Sequence, residues 1–276
     1  MPENIARERF LEATRGRDEA IDLAEVCFWI SAEANPVLDV ECCRQKLDAL
    51  ADELRPRLST AESVSEKVSL INHFLFAEQK FCGNRGDYYD ADNSYLDCVL
   101  ERRTGIPITL SVLWLAVAER LELPAHGIGF PGHFLIGVAA DPPIYVDAFS
   151  GICMSVEDCR TRLREIAGRE ARFDPGMLAP ATHRQILARV LRNLKQVHAQ
   201  GSNYRQAVAC IDRILILEPD HPIELRDRGL MHRALECWSS AHEDLERFLL
   251  LAPDGPGASD VRIVLNDLDM RIAHIH

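Results

Sequence analysis

Several things are missing from this sequence, and each absence removes a class of function. No run of about eighteen apolar residues occurs, so no membrane-spanning helix is expected. The nine cysteines, scattered from Cys27 to Cys237, form no CxxC pair, which fits neither a zinc site nor a secreted disulfide framework. Most are expected to be small buried apolar residues. No glycine-rich phosphate loop or ligand cluster is present, which disfavours nucleotide, metal and electron-transfer chemistry. Positive charge is short as well: 31 Lys and Arg stand against 43 Asp and Glu, a formal charge of -12. A surface of that sign repels nucleic acid and anionic lipid at long range. The expectation is therefore a protein with no cofactor and no metal, bound to neither nucleic acid nor membrane. Its opening stretch is charged throughout rather than signal-like, which makes the cytoplasm the expected location.

What is present is ample for a core: 276 residues with 47% apolar content suit one large domain or two ordinary ones. Residues 1–80 read as helical packing. Ile21, Ala24, Val26, Cys27, Phe28 and Ile30 share a broad apolar face, and Pro36 stops or restarts the element. A second helix repeats Val40, Cys43, Leu47, Leu50 and Leu54, and a third lies in "SVSEKVSLINHFLFAEQK". Nothing catalytic shows in this quarter.

Residues 81–180 change character. A polar loop, "NRGDYYDADNSY", leads into helices expected over about 94–103 and 109–121. The carboxylates Asp87, Asp90 and Asp92 with Asn93 resemble a calcium loop only superficially, because the required glycine and closing glutamate are absent. Asn93 or Ser94 is instead expected to cap the next helix, and Tyr88 and Tyr89 to stand over a cleft. Arg102 and Arg103 are expected to answer the loop carboxylates. Beyond the helices, "HFLIGV" and "PIYVDAF" flank an Asp-Pro-Pro turn and read as an antiparallel pair. His133 opens the first strand and Asp147 lies near the end of the second, so a hairpin brings them together across the ladder.

Residues 181–276 are helical and periodic. Ala207, Ile211 and Pro219 recur 34 residues later as Ala241, Leu245 and Pro253, the spacing of a tetratricopeptide repeat. Leu191 and Leu225 agree at an earlier apolar position, and Gly229 occupies the small position of its helix. Lys195 stands where the first unit needs a small residue, a departure from the pattern. The first helices of the two units carry Arg192, Lys195, Gln196 and His198, then Arg226, Arg228, His232 and Arg233. This basic cluster in an acidic protein points to a protein partner or acidic peptide held by charge-assisted contacts.

His133 and Asp147 supply two members of a Cys, His, Asp arrangement, in which the carboxylate fixes the imidazole and the imidazole activates the thiol. The place to look for the thiol is the entry of the helix near Thr109, where free backbone donors favour a thiolate. The sequence there, "RRTGIPITLSVLW", contains no cysteine.

Taken together, "GN", "YYD", "NSYL", "RRTGIPITLS" and "FPGHFL" resemble the core of a bacterial family of transglutaminase-like proteins that carry C-terminal tetratricopeptide repeats, and the resemblance covers essentially the whole chain. It implies a fold in which a helix-borne cysteine precedes strands carrying the histidine and aspartate. His133 and Asp147 match the latter two. The cysteine position falls between about Gly105 and Ser111, where only Pro107, Thr109 and Ser111 are on offer. The alternative nucleophiles are Cys98, Ser111 and Thr109, with Cys82 behind them; each also has an ordinary structural use, as a buried helical or loop cysteine or as a helix cap. The expected fold is α+β: a helical N-terminal segment, a transglutaminase-like, papain-like core with a small antiparallel sheet, and tetratricopeptide helices. The leading functional expectation is a non-catalytic interaction or regulatory protein. The alternative is an amide-bond hydrolase or acyl transferase with an atypical nucleophile.

Overall fold

The structure, a computed structural model, describes residues 3–275, with side chains for 5–272. Four helices open the chain: α1 (Glu3–Ala13), α2 (Leu23–Ala34), α3 (Val40–Leu58) and α4 (Val64–Asn72). The starts of α2, α3 and α4 are set by short polar side chains that satisfy otherwise orphaned amides. Asp22 accepts from Glu25 N at 2.9 Å, Asp39 from Cys42 N at 3.2 Å and Ser63 from Glu66 N at 3.2 Å. A π-helical segment, His73–Glu78, prolongs α4.

The middle of the chain adds β1 (Cys82–Gly83), α5 (Leu96–Arg102), β2 (Thr104–Gly105) and α6 (Pro107–Arg120), with β1 and β2 paired in parallel. The expected cap at Asn93 or Ser94 is not what begins α5. The cap position falls on Tyr95, which makes no side-chain cap bond, because Asn93 is turned inward to tie the preceding loop. Helix α6 is the core element. Every residue from Pro107 to Ala118 is buried, as befits a helix apolar all round. Four strands follow, β3 (Ala125–Ile128), β4 (Leu135–Val138), β5 (Ile144–Asp147) and β6 (Ile152–Met154), forming an antiparallel meander in chain order. The register pairs Ile136 with Val146 and Gly137 with Tyr145. Helix α7 (Val156–Ala167) places Cys159 and Leu163 against Ile128, Leu135 and Met154, while β3 and β4 lie against α6. The expected hairpin is present, widened by an unanticipated strand on either side of it. His133 differs from expectation: it sits in the turn before β4, not in the strand.

The chain divides into two compact units between Leu187 and Ala188, inside α8 (His183–Gln200). The second unit continues with α9 (Tyr204–Leu217), α10 (Pro222–Ala234), α11 (Trp238–Leu251) and α12 (Ala258–Ile275). Its core joins Leu225, Ala241, Leu245, Phe248, Val261 and Leu268. Left-handed residues recur one sequence period apart, Ser202 (φ 56°) and Glu236 (φ 59°), each just before a helix, so the backbone repeats as the sequence does. A Cβ on Gly229 would stand 2.7 Å from Leu245 Cγ, which is why the crossing of α10 and α11 requires glycine. Gly229→Val is expected to cost about 1 to 3 kcal/mol by overpacking this crossing. Chemical denaturation of the full chain measures it, and an unchanged midpoint for the transition of this unit counts against the close crossing.

Candidate functional site

The site begins with a turn. In "FPGH", His133 N donates to Phe130 O at 3.0 Å, with Pro131 second and Gly132 third at φ 65°, as in a type II turn. Any Cβ at Gly132 would also meet Ile166 at 2.5 Å. This turn presents the imidazole to Asp147 at the end of β5. His133 Nε2 lies 2.9 Å from Asp147 Oδ1, a short contact in which the ring N–H is not aimed squarely at the oxygen. The His133 side chain is 10% exposed and that of Asp147 fully buried.

Asp147 is met from other directions too. Its Oδ1 accepts from Phe149 N at 3.0 Å and Ser150 N at 3.1 Å, an aspartate folding the chain after a strand back onto itself. Its Oδ2 accepts from Arg162 Nη2 at 3.3 Å. Burial alone would raise the pKa of this carboxyl; the contact and charge of His133, with the Ser150 amide, outweigh it and hold the group below the ordinary aspartate value. Arg162 was not anticipated. The usable signal was its place on α7 beside Cys159 and Leu163, the buried stripe that faces the sheet.

An aromatic wall adjoins the pair. The Phe149 ring stands edge-on to His133 with centroids 6.4 Å apart, Tyr88 is edge-on to Phe149 at 6.2 Å and Tyr89 to Tyr88 at 5.4 Å. Arg85 lies over Phe149 at 5.2 Å, and the Gly83 backbone presses on the same ring. Tyr88 and Tyr89 are 40% and 55% exposed, so the wall ends in open aromatic surface. Asn93 shapes the loop that carries them, donating to Asp87 O at 2.7 Å and accepting from Asn84 Nδ2 at 3.0 Å. Arg102 bridges Asp90 and Asp92, as expected of it, whereas Arg103 turns to Gln79.

The candidate nucleophiles are differently placed. Pro107 occupies the first turn of α6. Thr109 is wholly buried; its hydroxyl donates to Asn93 O at 2.7 Å and accepts from Ile106 N at 3.2 Å. Ser111, equally buried, donates to Pro107 O at 2.8 Å. Burial and the neighbouring Asp97 push the Cys98 thiol up to about 12. Cys82 is exposed on β1, with its sulfur 4.0 Å from Thr104 Oγ1.

In the second unit the expected basic cluster is neutralised from within. Arg192 reaches Glu218 and, at 2.8 Å, Glu224; Lys195 reaches Glu224 at 2.8 Å and Asp227 at 2.9 Å. Arg226 pairs with Asp227 at 2.8 Å, Arg228 with Asp244 at 2.6 Å and Asp212 at 2.8 Å, and Arg233 with Asp267 at 3.5 Å. Lys195 departs from the repeat pattern because its ammonium answers Glu224, whose side chain is buried. The carboxylates that answer these cations lie mostly on other helices, so one helix face read alone shows charge that the assembled unit cancels.

Replacing Asp147 by Asn leaves amide and guanidinium donors facing an NH2 group and is expected to cost about 1 to 3 kcal/mol at neutral pH. Since the folded pKa is depressed, the ionic part of this stability is full above the unfolded value of about 3.9 and is lost as pH falls through the folded one. The stability gap between wild type and Asp147→Asn, followed by urea denaturation, should therefore narrow on acidification. A gap constant down to about pH 2.5 would show that the charge contributes nothing.

Among the described residues no helix is long and apolar enough to cross a membrane, and no three His, Cys, Asp or Glu side chains could hold a metal ion. Comparison with known proteins agrees with the geometry. Residues 41–192 match the transglutaminase-like superfamily, and 194–266 the tetratricopeptide repeat. The chain is 38% identical over 264 residues to a UPF0162 protein of Xylella fastidiosa, covering 94% of each. It is 30% identical to a UPF0162 protein of Vibrio cholerae, covering 91% of this chain and 93% of that one. F-box only protein 21 of mouse is 33% identical over 64% of this chain, but only 29% of its own length is involved. No solved structure matches. With a transglutaminase-like model over more than half its length and full-length relatives, the chain belongs to the transglutaminase-like superfamily, with tetratricopeptide repeats after the core.

Proposed function

We propose that this is a non-catalytic recognition or regulatory protein, in which a transglutaminase-like core keeps its base-orienting pair and has lost its nucleophile. The observation that carries the reading is the first turns of α6, where Pro107 has no reactive group and the hydroxyls of Thr109 and Ser111 are buried and bonded to backbone. A hydroxyl so held has neither the exposure nor the base that acyl transfer needs. The thiols add support, since burial pushes Cys27, Cys98 and Cys210 to about 12 and Cys43 and Cys159 to about 11. The core then recognises ligands through the open wall of Tyr88, Tyr89 and Phe149, and the repeats through a protein partner. Nine free cysteines and the acidic surface fit a cytoplasmic setting away from nucleic acid.

An acidic peptide, the partner suggested by Arg192, Lys195, Arg226, Arg228 and Arg233, would have to displace internal carboxylates, and exchanging one ion pair for another gains little. Recognition by the repeats is therefore expected to depend on shape and apolar contact more than on charge. The competing reading, an amide-bond hydrolase or acyl transferase, draws on the intact His133 and Asp147 contact. One experiment separates the readings. An iodoacetamide probe and a serine-directed fluorophosphonate are applied to the full chain at pH 6 and to His133→Ala. Slow labelling, unaltered by His133→Ala, is expected. One residue labelled far faster than the rest, and silenced by His133→Ala, makes the protein an enzyme.

A further inference from the structure

A concavity in the first unit involves none of the residues of the candidate site. It encloses about 340 Å³, within the range of small-molecule sites. Leu23 of α2, Leu115 of α6 and Leu123 supply an apolar floor, and Ala125 of β3 a side wall. The polar lining consists of Glu119, Glu122, His126 and His183.

Both carboxylates offer only acceptors. His183 Nδ1 stands 2.8 Å from Ile21 O; a carbonyl can only accept, so Nδ1 carries a proton and Nε2 is the ring nitrogen left for a ligand. Burial lowers the pKa of His126, keeping that ring neutral with one acceptor nitrogen. The carboxylates of Glu119 and Glu122 form no salt bridge and accept no hydrogen bond among the described residues, although surface acids elsewhere in the chain are commonly paired. The nearest cation in sequence, Arg120, is drawn off by Asp48 at 2.6 Å and by Ala116 O at 3.1 Å. Desolvation, then the charge of Asp22, raises the pKa of Glu119 against the opposing charges of Arg120 and His183. The acceptors are too dispersed to converge on a metal, since no three such groups in the described residues could hold one.

We propose that this cavity binds a small-molecule primary amine, a compact apolar body on the leucine floor with its ammonium directed to Glu119 and Glu122. An ammonium has three donors and no acceptor, the complement of the two carboxylates that this lining leaves unpaired. The apolar body supplies most of the affinity, and the charge supplies the selection against neutral and anionic analogues.

The probes are phenethylamine, phenethyl alcohol and phenylpropanoate, which share an apolar body and differ in the head group. Each is titrated into the full chain by calorimetry at low salt. The amine should bind saturably, the alcohol more weakly and the carboxylate not at all. Glu119→Gln with Glu122→Gln should weaken the amine by about tenfold, the scale of partly exposed ion pairs, and leave the alcohol unchanged. Both positions are exposed, so the double variant should keep its melting temperature. Ala125→Phe, which fills the space, should remove amine and alcohol together; if that chain does not fold, the double variant decides alone. Equal binding of amine and carboxylate, an amine affinity indifferent to the glutamates, or no saturable amine binding at millimolar concentration would each overturn the proposal. So would saturable zinc binding that His126→Ala abolishes.

Discussion

A carboxylate taken fully out of water must be met by donors, and the core around the candidate site is arranged to meet one. Asp147 ends β5, and its oxygens collect two amides from the next turn, an imidazole from the turn before β4 and a guanidinium from α7. Remove any of these and the rest lose a reason for their position. The Pro131-Gly132 turn sets the histidine, the amides close the chain toward β6, and the capping of α7 by Ser155 and Asp158 brings Arg162 into reach. A buried charge thus acts as a specification of geometry more than as a source of net stability, because its desolvation offsets much of what its partners contribute.

That geometry is comparable with one half of a nucleophile-histidine-carboxylate arrangement. In the nucleophile-histidine-carboxylate arrangement the carboxylate fixes the imidazole, and the imidazole deprotonates a group across from it. Here the fixing half is intact, while the start of α6 is occupied by proline. Proline suits the first helical turn because its missing N–H has no partner there anyway, but it brings no reactive atom and removes a donor from the place where an anion would be stabilised. Thr109, accepting from Ile106 N and donating to Asn93 O, is a tie between the helix start and the aromatic loop. The loop so tied holds Tyr88 and Tyr89 out to solvent.

Much of this was legible before any coordinates. The strands around the Asp-Pro-Pro turn, the closeness of His133 and Asp147, and the 34-residue helical period follow from short patterns whose partners lie nearby in sequence. What was not legible required partners supplied from afar. Ala125–Ile128 is too short and too rich in small residues to announce a strand, and pairs only because β4 offers it an edge. Asn93 resembles a helix cap by position, yet its amide is drawn inward to Asp87 O and Tyr88 O, leaving α5 to start at Tyr95 without one. Arg162 joins Asp147 across a helix-sheet interface; the neighbouring stripe of Cys159 and Leu163 marks its face of α7 but not its partner.

The second unit shows the same limit in its charges. Helical periodicity grouped Arg192 with Lys195, and Arg226 with Arg228 and Arg233, because residues three and four apart share a face. It could not show that Glu218, Glu224, Asp244 and Asp267 come from neighbouring positions and elements to answer them. Glu224 makes the point most sharply: a lone acid with a buried side chain would be costly, and here Arg192 and Lys195 both reach it at 2.8 Å. Lys195, the one residue that breaks the repeat pattern, is thus the cation that lets another departure, a buried glutamate in α10, persist. The two irregularities are a single feature, and it explains why a face rich in cations by sequence carries little uncompensated charge once folded.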